Sequence, residues 1–153
     1  MRRTDRGITY LEVMITIAIL LVLASATLPV ARTAIKRQRE LELRSALREI
    51  RTAIDNYKKY TDQGLIQLEG LQSEGYPPDL ETLVDGVNQV GAIDKKIRFL
   101  RRIPKDPMTN TTEWGLRSLQ DDPNSLSWGR QNVFDVYTTS EATALDDTPY
   151  NTW

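Results

Sequence analysis

Two hydrophobic patterns follow one another along the first third of the chain. From Val13 to Ala31 no residue is charged, and apolar side chains fill nearly every position. A helix apolar on all sides, close to the roughly 20 residues that cross a bilayer core, predicts a membrane segment. Thr16, Ser25, Thr27 and Pro29 make it a modest span. Beyond it the pattern narrows to a stripe. Leu43, Leu47, Ile50, Ile54 and Tyr57 recur at spacings of four, three, four and three, which places them on one face of a helix. Arg44, Arg48, Glu49, Arg51, Asp55, Lys58 and Lys59 fill the other faces. Together the two patterns predict helix from about Ile8 to Tyr60, roughly 80 Å long. That length suits a spine, with the stripe holding a globular part against it.

The remainder reads as a small head. Gly64 and Gly70 loosen the chain, and Gly75-Tyr76-Pro77-Pro78-Asp79-Leu80 stops one element and starts another. Two prolines cannot continue a helix, while Asp79 can cap a new one. Leu80, Leu83 and Val84 mark that short helix, ending near Gly86. A second proline-rich turn covers Ile103 to Pro107. Trp114 to Leu119 and Asn132 to Tyr137 then read as strands, with Asp121-Asp122-Pro123-Asn124 in their connection. The expected class is α+β: a long N-terminal helical spine, membrane-inserted in its first half, with a small antiparallel-sheet head. There is no repeat and no low-complexity segment.

Charge and composition narrow the function. The chain of 153 residues carries 20 basic and 21 acidic side chains. Nucleic-acid binding needs a basic footprint that this balance does not supply. Cysteine is absent, which excludes a disulfide framework, a zinc–thiolate site and a cysteine nucleophile. Histidine is absent too, which removes the commonest general base and the Ser-His-Asp arrangement. No pair of carboxylates is marked out for catalysis, so the expectation is a protein that is not an enzyme.

The most specific signal is at the start. A short basic leader with Arg2, Arg3 and Arg6 ends in Gly7, and the apolar segment that follows carries a single acid, Glu12. A charge at the centre of a span costs roughly 2.5–3.5 kcal/mol on insertion scales, less near its end, so Glu12 calls for compensation. A cut between Gly7 and Ile8 would supply it. The new amine on Ile8 would stand about 6 Å along the helix axis from Glu12, one turn away. Removing the leader would move the net charge from −1 to about −3. A rival reading takes the same region as an ordinary secretory signal, cut after Ala24-Ser25-Ala26 to release a soluble exported binding domain or enzyme that starts at Thr27. Glu12 inside an apolar core speaks against that. Basic residues flank both ends of the span, Arg32, Lys36, Arg37 and Arg39 on the far side, so charge does not orient it.

Gly7-Ile8-Thr9-Tyr10-Leu11-Glu12 and the apolar run after it resemble the N-terminus of type IV pilins and pseudopilins. Pro29, twenty-second after the cut, sits where that family often carries a proline. Many relatives have glycine where this chain has Leu21, so less local melting of the helix is expected here. The order of Tyr76-Pro77-Pro78, Leu80-Glu81-Thr82-Leu83, Pro104-Lys105-Asp106-Pro107, Phe134-Asp135-Val136-Tyr137 and Trp153 is similar to the major pseudopilins of type II secretion. The resemblance implies processing by a prepilin peptidase at Gly7 and Ile8 and methylation of the new amine. It implies assembly through Glu12 and Pro29 into a periplasmic filament that helps drive protein secretion. On that reading residues 1–7 are the leader, 8–31 the transmembrane and filament-core helix, 32–62 its amphipathic continuation and 63–153 the periplasmic head. The chain starts as a single-pass inner-membrane protein with its head in the periplasm. Its partners are further copies of itself, minor pseudopilins, the inner-membrane assembly platform, the prepilin peptidase and membrane lipid, with no nucleic acid. A type IV pilin or minor pilin of another machine shares the same N-terminus.

Major pseudopilins hold calcium in a loop near the C-terminus. In this chain Glu141, Asp146 and Asp147 fall there, and clustered carboxylates are what a hard cation takes. They are the candidate metal ligands, with a solvated acidic loop as the alternative.

Overall fold

The computed structural model describes residues 8–67, 70, 73–92 and 95–153, with the backbone alone at 26–29. The chain forms two units, Met1–Gln38 and Arg39–Trp153. The expected spine helix is present as α1 (Tyr10–Asp62, 53 residues), displaced by two residues at each end. Its N-terminal part is long and apolar enough to cross a membrane. There the large apolar side chains are exposed all round, Leu11, Leu21 and Val22 each by about two thirds.

In the second unit α1 behaves differently. Leu43, Ile50 and Ile54 are fully buried, and Leu47 and Tyr57 nearly so. These are the stripe positions, joined on the same face by Ala46 and Ala53. They share one core with Leu80, Leu83, Val133, Val136, Ala144 and Tyr150. Phe99 adds a ring 5.3 Å from Tyr57 and 5.4 Å from Tyr60, centroid to centroid.

The head elements are short and each is fixed by a local device. Helix α2 (Leu80–Asp85) opens on Asp79, whose carboxylate accepts the Thr82 N–H at 2.7 Å. It ends at Gly86, with φ at +79°. A Cβ there would lie 2.7 Å from the Ile97 carbonyl oxygen, so only glycine fits. Strand β1 (Val87–Asn88) pairs antiparallel with β2 (Lys96–Ile97). Leu83 C=O then accepts the N–H of both Phe99 and Leu100 at 2.9 Å. Strands β3 (Gly115–Arg117) and β4 (Asp135–Tyr137) pair antiparallel in the register Gly115↔Tyr137, Leu116↔Val136, Arg117↔Asp135. A single 3-10 turn, Tyr150–Thr152, closes the chain.

Both expected strands are therefore present, trimmed to three residues each, and the short second helix starts at its expected cap. The β1–β2 ribbon is an addition. Two residues per strand are too few to show alternation in a sequence. Among the described residues the sheet part consists of two separate two-stranded ribbons, neither stable by itself in water. Both contribute residues to the core built on α1.

Gly115 carries a test of this packing. A Cβ at that position would collide with the Tyr137 ring opposite it. That ring cannot swing aside, because the Arg117 guanidinium lies 4.1 Å from its centroid and its hydroxyl donates to Leu126 C=O at 3.0 Å. Gly115→Ala should destabilise the head by about 1–3 kcal/mol, the range for overpacking. Thermal unfolding followed by tryptophan fluorescence measures it, and a melting temperature equal to wild type would show that the ribbon gives way without cost.

Candidate functional site

The start of α1 is built from three residues. Ile8 is three-quarters exposed ahead of the helix. The Thr9 hydroxyl accepts the backbone N–H of Glu12 at 3.2 Å, and the Thr9 carbonyl accepts the N–H of Val13 at 3.1 Å. Thr9 thus caps the helix, and Thr9-Tyr10-Leu11-Glu12 has the threonine–glutamate spacing of a capping box. That spacing was available in the sequence as a start signal. Glu12 lies in the first turn, exposed, at the end of the helix where the dipole favours an anion. Gly7 lies outside the described residues. Pro29 falls within α1, where the backbone alone is described.

The C-terminal loop is a tight hairpin. Thr143 bridges to Pro149, the Ala144 N–H donates to Thr148 C=O at 2.8 Å, and the Tyr150 N–H donates to Ala142 C=O at 3.0 Å. Asp147 occupies the turn with φ at +66°, its N–H on Ala144 C=O. One oxygen of Asp146 accepts both the N–H of Thr148 at 3.1 Å and its hydroxyl at 2.6 Å. The Thr148 hydroxyl and N–H, more than the Arg44 charge, hold that carboxyl below the usual aspartate range. Glu141, Asp146 and Asp147 are all exposed. Among the described residues no three acidic side chains form a group able to hold a metal ion.

A carboxylate from outside the loop, Glu40 on α1, also meets it, and nothing in the acidic stretch itself pointed to it. It is 8% exposed, and one of its oxygens accepts the Leu145 N–H at 2.8 Å and the Tyr150 hydroxyl at 2.9 Å. Glu40 stands three residues before Leu43, on the buried stripe itself. An acid in the register of an apolar face was the signal that could have found it. Burial, then the hydrogen bond and charge of Glu40, then the charge of Asp146 push the Tyr150 hydroxyl up to about 12. One turn further on, the Arg44 guanidinium lies 4.3 Å from the Trp153 ring centroid. Arg51 binds Asp135 at 2.7 Å and donates to the carbonyls of Val136 and Trp153 at 3.1 and 2.9 Å. Arg117, largely buried, approaches the other oxygen of Asp135 at 3.5 Å.

The chain is 31% identical over 112 residues to the type II secretion system core protein G of Escherichia coli (strain K12), an alignment that covers 72% of each chain. No protein-family profile matches the chain, and no solved structure matches it.

The Tyr150 environment gives a pH prediction. A raised phenol pKa means that folding favours the neutral form. The associated stability is complete below pH 10, the ordinary value, and is lost as pH rises through about 12. In an ultraviolet titration of phenolate, one of the six tyrosines should ionise last, together with the opening of the C-terminal hairpin. Tyr150→Phe should remove that step; a titration curve with the late step intact would assign it to another tyrosine.

Proposed function

The chain belongs to the family of the type II secretion system core protein G, and on that premise we propose that it is a structural pseudopilin subunit. It polymerises through its N-terminal helix into a periplasmic filament that serves type II protein secretion. The observation that carries this reading is the start of α1: an apolar helix exposed on every side, with one carboxylate in its first turn. An apolar surface of that kind needs cover, first from lipid and then from the helices of neighbouring copies. Glu12 needs a cation, and a new amine on Ile8 supports that role in each of these settings.

On this reading residues 1–7 are removed by a prepilin peptidase, and the amine of Ile8 is methylated. Residues 8–31 anchor the subunit in the inner membrane and later form the filament core, with Pro29 loosening the helix locally. Residues 32–62 continue the spine and 63–153 are the periplasmic head. The partners are other copies of this chain, minor pseudopilins and the assembly platform of the inner membrane. The work of the molecule is mechanical, and no catalytic residue is assigned.

Two experiments test it. N-terminal sequencing and intact mass of membrane-extracted protein should give a mature chain beginning at methylated Ile8, and Gly7→Leu should leave the precursor uncut. A mature chain beginning at Thr27 would replace this reading with that of a soluble exported protein. The second experiment separates charge from capping. Glu12→Gln keeps the capping-box geometry and removes the charge, whereas Glu12→Leu removes both. Both variants should lose filaments in an assembly assay while the head melts at the wild-type temperature. Normal filaments from Glu12→Gln would mean that Glu12 serves the helix start and not subunit pairing.

A further inference from the structure

We propose that the C-terminal segment of this head is pinned by side chains of α1, Glu40 foremost, and keeps its place without a metal ion. The segment from Ala144 to Trp153 meets α1 at three polar points. Glu40 holds the Leu145 N–H and the Tyr150 hydroxyl. Arg44, one turn later, covers the Trp153 ring. Arg51, about two turns beyond that, binds the Trp153 carbonyl. These points are connected through the hairpin itself, since the Trp153 indole N–H donates to the Thr148 hydroxyl at 2.8 Å and that hydroxyl donates to Asp146.

The chemistry of these contacts is opposite to that of a cation site. A hard cation orders a loop by gathering carbonyl and carboxylate oxygens around itself. Here an anion orders the loop by gathering N–H and O–H donors. The Leu145 N–H, in the middle of the acidic stretch, faces Glu40. Asp146 is tied within the hairpin, one of its oxygens accepting two hydrogen bonds from Thr148. Bonds to an ionised and largely buried acceptor are among the stronger ones, and removing Glu40 would leave the Tyr150 hydroxyl buried without its acceptor. One carboxylate from the helix thus does the organising that a metal would otherwise do.

The test uses the full-length chain in detergent micelles, unfolded by heat in calcium chloride or in chelator, with tryptophan fluorescence and amide hydrogen exchange as readouts. Wild type should melt at the same temperature in both buffers. Glu40→Ala should lower the melting temperature and expose Trp153 to quenchers, while Glu40→Gln, which keeps an acceptor oxygen, should restore most of the loss. Tyr150→Phe should speed exchange of the C-terminal amides about three- to tenfold, as expected for the loss of one hydrogen bond. A calcium-dependent rise on the order of 5 °C or more, abolished by Asp146→Ala with Asp147→Ala, would overturn the proposal. Wild-type melting of Glu40→Ala would overturn it as well. Should Glu40→Ala fail to fold, Tyr150→Phe decides, and unchanged exchange in that variant counts against the pin. None of these readouts involves filament formation, so the inference stands or falls apart from the assembly reading.

Discussion

The head depends on the burial of one face of α1. Among the described residues its other regular elements are two ribbons, of two and three residues per strand, a six-residue helix and a 3-10 turn. None of these could persist alone, because ordering each residue costs about 1–2 kcal/mol in backbone entropy. Leu43, Leu47, Ile50, Ile54 and Tyr57 supply the wall against which they collapse. Each fully buried aliphatic side chain contributes about 1.5–3 kcal/mol. The helix is therefore part of the head's core and not a stalk to which a finished domain is attached.

Polar contacts then decide which arrangement the short elements take on that wall. Asp135 on β4 sits between Arg51 of α1 and Arg117 of β3, so one carboxylate ties the ribbon to the helix. Asp106, fully buried, accepts the Met108 N–H at 2.8 Å and the Thr138 hydroxyl, joining the proline-rich turn to the residues after β4. Hydrophobic burial is non-directional and would accept several placements of such short segments. The buried carboxylate of Asp106 accepts only the placement that fills its lone pairs, since leaving it unpaired costs several kcal/mol.

The same helix carries a second surface with different physics. From Ile8 to Ser25 its apolar side chains find no cover within the unit, and their distribution is all round and not striped. A stripe is enough for a helix that packs on one side; a fully apolar circumference belongs to a helix surrounded on every side. On the function proposed above, lipid provides that surround to a single subunit, and bundled neighbouring helices provide it in a filament. Glu12 falls in the first turn of this surface, where the helix end tolerates an anion, and so the one charge does not interrupt the span.

Much of this was legible in the sequence because it is local. The spacing of Leu43 to Tyr57 set a helical face, and that face is the buried one. Asp79 before Leu80 announced a cap, and Gly86 a stop. The two strands were visible as runs, and the apolar first part of α1 as a segment with one acid in its first turn. What the sequence could not supply were partners far apart along the chain. Glu141, Asp146 and Asp147 are neighbours in sequence, whereas Glu40, which accepts the Leu145 N–H and the Tyr150 hydroxyl of the same loop, lies on α1. Glu40 and Tyr150 are separated by 110 positions, and Arg51 and Asp135 by 84. Periodicity and composition report how a segment relates to its own axis. Which buried donor meets which acceptor is fixed only when distant segments share one core, and there the tertiary structure decided.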